Sequence, residues 1–537
     1  MDKFDSREAI ARAQRSNPQP ASALNAPIGI PGQTRNYFWY RTSFRPPAKK
    51  AFALLKVNKA QFGMAVWLNG KKIGEHLGCF DPGYFDLTAA IRWDRDNDLI
   101  VRIGAHPAVL PETVPAGTDQ EKRKWTPGIY DSVSVFLCDN PVIESIQVAP
   151  RIAGPDILVE TRIKNYGPAA SFVLLHRVKT WKEGREVGLP LRLKLSLKAG
   201  EETVRRDVIK IPGATLWTPE NPFLYTLELE TSTVGDDVST RFGMREFRFD
   251  TATQRAYLNG KVYFMRGSNI TLHRFFEDPN CGRLPWDENW VRQLLIDIPK
   301  KMHWNSFRFC IGPVPDKWLD IADEARLLIQ NEFFIWGYRR NWAPDELIAQ
   351  FKGWMGDSWN HPSVALWDAS NETTEATLGD KIIPAVRALD LSNRQWENSY
   401  NLPAGPDDPV ENHPYIENGP NTVALLHPTV IRRAPIGMYY LYQDRRLRLR
   451  VSDQIGLDDF AVWAATVGDD WGIVLSWCPY VAEPERPRVF LPGAWIAYLR
   501  ALSTCRSREW LDWRAAHWSP GAPRLSKRRD YTALLAM

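Results

Sequence analysis

Between about residues 36 and 248 the apolar residues of this chain recur every second position in short runs, and from about 249 the spacing lengthens to that of helices. Side chains alternate across a strand but gather on one helix face every three to four residues. No single layer architecture satisfies both patterns. The chain must therefore fold as an all-β part followed by a part in which strands and helices alternate. At 537 residues it is also too long for one ordinary domain, and two to four are expected.

The first part divides further. Tyr37-Phe38-Trp39-Tyr40-Arg41-Thr42-Ser43-Phe44 reads as an aromatic strand, and Ala65 to Gly74 as a hairpin turning at Asn69-Gly70. Leu99-Ile100-Val101-Arg102-Ile103 follows a polar turn. Helical periodicity is nearly absent, so residues 36–142 predict a β-sandwich, preceded by a poorly ordered segment over 1–35. Residues 143–248 continue as short strands, among them Ile157–Ile163 and Leu224–Glu230, and suit an immunoglobulin-like sandwich.

From 249 onward Val262–Gly267 reads as a strand and residues 287–302 as a helix with Asp287 as its cap. Asn305–Phe309 reads as a strand, Trp318–Ala325 as a helix, and Leu327–Glu332 as the next strand. This alternation predicts βα units. The run Val364-Ala365-Leu366-Trp367-Asp368-Ala369-Ser370-Asn371-Glu372 then reads as a buried strand ending in an Asn-Glu pair. In a parallel α/β barrel such a position is where catalytic groups sit. A carboxylic acid there, with an amide beside it to bind a hydroxyl, suits the general acid of glycosidic bond cleavage. An ordinary Asn-Glu capping the next helix is the alternative.

Composition narrows the partners. The net charge of +5 is small for this length and no Lys/Arg run is long, so a nucleic-acid groove is not expected. Six cysteines are scattered without CxxC or zinc spacing and read as buried free thiols. The 23 tryptophans read mostly as filler of large β-sandwich cores, some of them as stacking surfaces for sugar rings. No 18-residue apolar run and no signal-peptide core are present, so the chain as written predicts a cytoplasmic protein without membrane contact. An absent 5′ end of the gene would make it periplasmic or secreted instead.

The order of segments and several motifs resemble glycoside hydrolase family 2, the family of β-galactosidases, β-glucuronidases and β-mannosidases. Trp67-Leu68-Asn69-Gly70 and Gly83-Tyr84-Phe85-Asp86-Leu87-Thr88 are similar to its N-terminal, jelly-roll-like sugar-binding sandwich. Leu216-Trp217-Thr218-Pro219-Glu220-Asn221-Pro222 and Phe242-Gly243-Met244-Arg245-Glu246 are similar to its passage through the middle sandwich into a (β/α)8 TIM barrel. The resemblance covers about residues 36–420 and places the first part of that barrel at 249–420. It implies Glu372 as the acid/base, Asn371 as hydrogen-bond partner of the sugar 2-hydroxyl, and Arg308 as the group that orients a carboxylate. His273, His413, Tyr415 and Glu397 are the implied further substrate contacts. A β-glycoside is the implied substrate. Cleavage by two carboxylates needs no cofactor, although a structural cation stays open. Sugar identity and oligomeric state are not legible.

One element of the family pattern is missing. The second carboxylate belongs to a Glu-aromatic-Gly type of motif on the seventh barrel strand, and after Glu417 the next glutamate is Glu483, in a proline-rich stretch. Asp453, Asp458 and Asp459 lie in the interval but match no motif. Residues 421–537 also change composition, with 15 arginines and one lysine against 31 and 21 before them. This tail reads either as a frame change in a GC-rich gene, which leaves the barrel incomplete, or as a divergent half that still closes it. A catalytically inactive carbohydrate-binding homologue is the competing functional reading.

Overall fold

The computed structural model describes residues 37–120, 127–232, 235–253, 255–275 and 284–412, with two short strands at 437–439 and 475–477. The segment expected to be poorly ordered, 1–35, lies outside them. The first unit contains β1 (Tyr37–Phe44), β2 (Phe52–Val57), β3 (Ala60–Gln61), β4 (Met64–Leu68), β5 (Lys71–His76), β6 (Gly83–Asp86), β7 (Asn97–Gly104), β8 (Gly128–Ile129) and β9 (Val133–Cys138). Two sheets, ordered β1-β7-β4-β5 and β6-β2-β9, share a core of Tyr40, Leu55, Val66, Phe85 and Val101. The alternation in β1 is visible directly: Phe38 and Tyr40 are buried while Trp39 between them is exposed. The β4–β5 turn carries Asn69 at φ 54° and Gly70 at φ 82°, the two positive values that a type I′ hairpin requires.

The second unit contains β10 (Val142–Arg151), β11 (Asp156–Lys164), β12 (Ala170–Thr180), β13 (Leu191–Leu197), β14 (Glu202–Lys210), β15 (Tyr225–Thr231) and β16 (Asp237–Phe242). Its sheets run β10-β11-β14 and β13-β12-β15-β16, with Val148, Val159, Leu174, Leu227 and Phe242 in the common core. A small antiparallel sheet of β17 (Phe247–Asp250), β18 (Arg255–Leu258) and β19 (Lys261–Val262) follows. The strand expected over Val262–Gly267 is thus two strands. β19 ends at Val262, and the next begins at Arg266, whose amide bonds the Asn305 side chain at 2.7 Å.

Strand and helix then alternate: β20 (Arg266–Ile270), α1 (Leu272–Phe275), α2 (288–302), β21 (Ser306–Phe309), α3 (Asp316–Glu324), β22 (Leu328–Glu332), α4 (Pro344–Ser358), β23 (Val364–Asp368), α5 (378–387) and β24 (Trp396–Glu397). Asp287 caps α2 by accepting the Trp290 amide. Both α2 and α5 contain a five-residue π turn, at Gln293–Asp297 and Leu378–Ile382, and each is followed two residues later by a proline, Pro299 and Pro384. Proline lacks the amide that would continue the α ladder, and the amides before it, Ile298 and Ile383, reach back five residues instead. The parallel sheet is ordered β24-β23-β22-β21-β20 and continues to β27 (Leu475–Trp477) beside β20. β25 (Val410–Asn412) pairs in parallel with β26 (Gly437–Tyr439). Two segments of the Arg-rich tail are thus paired in parallel, Leu475–Trp477 with β20 and Gly437–Tyr439 with β25. The rest of the tail lies outside the described residues.

Tryptophan fills the third unit more than the sandwiches. Trp318, Trp354, Trp367 and Trp396 are all fully buried between the parallel sheet and its helices, whereas Trp39 of the first unit is 59% exposed. Cys79, Cys138 and Cys310 are buried and free, as expected of them. The first unit is fastened to the third by a buried ion cluster. Lys59 meets Asp131 at 2.9 Å, Asp357 at 3.4 Å and also Asp316, while Lys56 meets Asp357 at 2.8 Å. Burial opposes the Lys59 charge, but the aspartates outweigh it and hold its pKa well above the ordinary lysine value.

Candidate active site at the carboxyl ends of the parallel strands

All five residues of β23 are buried, as the run Val364–Asp368 demands of a strand covered on both faces. Beyond its carboxyl end Ala369, Ser370 and Asn371 stay buried, and the Asn371 amide donates to the Ile335 carbonyl at 2.8 Å. Glu372 follows, partly buried, at φ 41°. A non-glycine residue in the left-handed region costs of order 1–3 kcal/mol and persists only where its surroundings hold it. Here they do: the Thr373 amide donates to the Ser399 hydroxyl at 2.6 Å, and the Thr373 hydroxyl donates to the Asn371 carbonyl at 2.7 Å. The Gly337 amide bonds the same Thr373 oxygen at 2.9 Å, so a second loop braces the turn.

A charged row lies across the sheet just below this turn. Register sets Arg308 beside Gln330, and Glu332 beside Asp368 beside Glu397. Arg308 Nε lies 2.6 Å from Glu332 Oε2 and 3.0 Å from Asp368 Oδ2, with all three side chains at zero exposure. Gln330 Nε2 donates to Asp368 Oδ2 at 2.6 Å, and the Ile311 amide donates to Glu332 Oε1 at 2.8 Å. Buried carboxylates are tolerable only when paired and hydrogen-bonded in this way. Arg308 is thus not a surface residue, and Glu397 is fully buried at the end of the row.

His273 sits on α1, fully buried, with rings of Phe80, Tyr130 and Phe334 around it at 4.9–5.2 Å between centroids. Its Nε2 is 3.2 Å from the Pro313 carbonyl. Two of those rings come from the first unit, so His273 marks where that unit closes on the parallel sheet. His413 and Tyr415 lie outside the described residues. Sequence reasoning named Arg308, Asn371, Glu372 and Glu397 but gave no role to Gln330, Glu332 or Asp368. The signal was there in Leu328-Ile329-Gln330-Asn331-Glu332, where polar residues at every second position face the same side as Arg308. Nothing in the sequence pointed to Phe80 or Tyr130, which meet His273 across well over a hundred residues.

Among the described residues, Asp320, Asp323 and His361 bring possible metal-ligating atoms within 4.8 Å of one another. Arg241 already bonds Asp320 and Glu324 there, and His361 Nδ1 is 2.7 Å from Asp323 Oδ2. The group is therefore internally charge-paired. Burial lowers the His361 pKa, but the neighbouring carboxylates, Asp323 foremost and then Asp320 and Asp316, together outweigh it and the net shift is upward from 6.5. A raised histidine pKa stabilises the fold fully below the unfolded value and loses that contribution as pH rises through the folded one. Unfolding free energy of the wild type is expected to fall as pH rises from 6 past that point. Chemical denaturation of His361→Gln across the same range should show a flatter profile, and identical profiles would rule out the linkage.

A profile of glycosyl hydrolases family 2 matches residues 142–245. The β-glucuronidase of Paenibacillus borealis is 24% identical over 420 residues, covering 70% of this chain and 65% of that protein. The β-galactosidase of Thermoanaerobacterium thermosulfurigenes is 26% identical over 310 residues, 56% of this chain and 42% of that one. Among solved structures, a family 2 glycosyl hydrolase from Bacteroides cellulosilyticus superposes with a TM-score of 0.66 at 18% identity, over 86% of this chain and 58% of that one. The chain is thus similar to glycosyl hydrolases of family 2, by the profile over its second unit and by fold over most of its length. A Bacteroides uniformis β-glucuronidase shares the fold at a TM-score of 0.64 and 20% identity, over 92% of this chain and 57% of that one. The chain spans less than two thirds of the length of the two curated relatives. The profile ends before β20, so the Arg308 row and Glu372 lie beyond the segment it matches. No helix among the described residues is long and apolar enough to cross a membrane.

Proposed function

We propose that this chain is a family 2 glycoside hydrolase that cleaves β-glycosides with retention, with Glu372 as acid/base. Its architecture would be two β-sandwiches, 36–142 and 143–248, followed by a (β/α)8 barrel from 249. The observation that carries the reading is the Asn371-Glu372 turn, braced just past the carboxyl end of the buried parallel strand β23. Glu372 would protonate the departing oxygen and then activate water, and Asn371 would bond the sugar 2-hydroxyl as oxocarbenium character grows. Arg308 touches Glu332 and Asp368, so it would act through those carboxylates as a positioning residue. The relatives named as β-glucuronidase and β-galactosidase support a pyranoside substrate. The second carboxylate must stand about 5–5.5 Å from the first for retention, and the tail is where the family pattern puts it.

Hydrolysis of nitrophenyl β-glucuronide and β-galactoside by the 537-residue chain, with the anomer of the first-formed sugar read by NMR, tests the reading. The β anomer is expected. The α anomer would remove the retaining mechanism, and sugar binding without turnover would leave a carbohydrate-binding homologue.

A further inference from the structure

Arg245 follows β16 in the run Phe242-Gly243-Met244-Arg245 and is only 7% exposed. Its Nε donates to the Pro362 carbonyl at 2.7 Å and its Nη2 to the Val364 carbonyl, which places the guanidinium at the amino end of β23. Both acceptors are neutral, and no carboxylate among the described residues lies within ion-pair distance of it. Its neighbour Arg394, 5% exposed, uses the same Val364 carbonyl at 2.7 Å but is paired, its Nη1 lying 2.8 Å from Asp390 Oδ1. Asp390 is also engaged by Trp367 Nε1 at 2.8 Å. Of the two buried guanidiniums only Arg394 is paired with a carboxylate, and the Arg245 charge is left over. Burial and then Arg394 pull the Arg245 pKa down to about 9, so the charge persists at neutral pH.

An unpaired buried charge is costly unless something neutralises it. Arg245 also lines a cavity of about 40 Å³ between the second unit and the parallel sheet, together with Arg394, Ser392, Asn360 and Trp359. That volume holds roughly three waters, or one small tetrahedral ion. Asn360 has nothing to offer it, since its amide already bonds the Ile146 carbonyl, the Thr240 hydroxyl and the Val148 amide. The Arg245 Nη1 and the Ser392 hydroxyl make no hydrogen bond to any described residue, so both donors are available. Glu246, the carboxylate on the rim, is 50% exposed and lies 3.7 Å from Arg248.

We propose that this cavity binds a small inorganic oxyanion, phosphate or sulfate, between the Arg245 guanidinium and the Ser392 hydroxyl. The site lies at the opposite end of β23 from Glu372. Its occupancy would bear on the stability of the junction rather than on bond cleavage, and the inference does not depend on the proposed activity.

Thermal melting of the full chain in phosphate, sulfate and chloride at matched ionic strength tests it. Phosphate and sulfate are expected to raise the melting temperature by a few degrees, saturating in the millimolar range, while chloride does not. Exclusion of these anions from protein surfaces also stabilises, but that effect grows without saturation. Ser392→Ala should weaken the saturable component roughly tenfold, the worth of about one charge-assisted hydrogen bond. Ser392→Asp places a tethered carboxylate beside Arg245. It should raise the melting temperature in chloride alone and abolish the saturable response. A response that never saturates, that chloride reproduces, or that Ser392→Asp leaves intact would overturn the proposal.

Discussion

Glu372→Gln is expected to cut turnover of β-glycosides with poor leaving groups by roughly 10²–10⁴-fold, the range general acid catalysis contributes. Glutamine keeps the shape of the side chain but has no proton to give. Nitrophenolates leave with little help, so glycosylation of the enzyme from nitrophenyl substrates should suffer far less. Deglycosylation still needs Glu372 as base, and the intermediate should accumulate as a burst followed by slow turnover. Added azide, which attacks without base assistance, should restore the steady rate as a glycosyl azide. Because Glu372 sits at φ 41° in a turn braced by Ser399 and Gly337, the variant should fold as well as the parent. Equal losses for good and poor leaving groups, with no azide rescue, would remove Glu372 from the acid/base role.

The second large effect concerns the row beneath that turn. Arg308→Met should destabilise the fold by about 3–5 kcal/mol, the usual cost of removing one partner from a buried ion pair. Methionine nearly fills the volume, but Glu332 and Asp368 would then face one another at zero exposure without their shared cation. At least one would take up a proton, so the loss should be smaller at pH 5 than at pH 8. Combining Arg308→Met with Glu332→Gln and Asp368→Asn removes the charges together and should recover much of the loss. Denaturant midpoints across that pH range distinguish these cases, and a pH-independent loss would point to packing alone.

Much of this arrangement was legible in the chain. Period-2 alternation marked β1 and β11, the Asn69-Gly70 pair marked its hairpin, and Asp287 marked the start of α2. The strands β21 and β22 were read within a residue of their observed bounds, and β23 was read from its observed start. Local chemistry misled where it was ambiguous. Val262–Gly267 is continuously apolar enough for one strand, yet the chain changes sheets within it. The π turns of α2 and α5 follow from prolines whose position was visible but whose consequence was not drawn.

By itself the sequence determined the change from strands alone to alternating strands and helices, the strands β21 and β22 and the place of Asn371-Glu372 past a buried strand, because these rest on spacing between near neighbours along the chain. The tertiary structure alone decided that Arg308 is buried between Glu332 and Asp368, and that Phe80 and Tyr130 enclose His273. It also decided that Arg245 and Arg394 share the Val364 carbonyl while only Arg394 is paired with Asp390. The reason is physical. What a charged side chain costs or contributes depends on the dielectric and the partners around it, and those come from segments tens to hundreds of residues away.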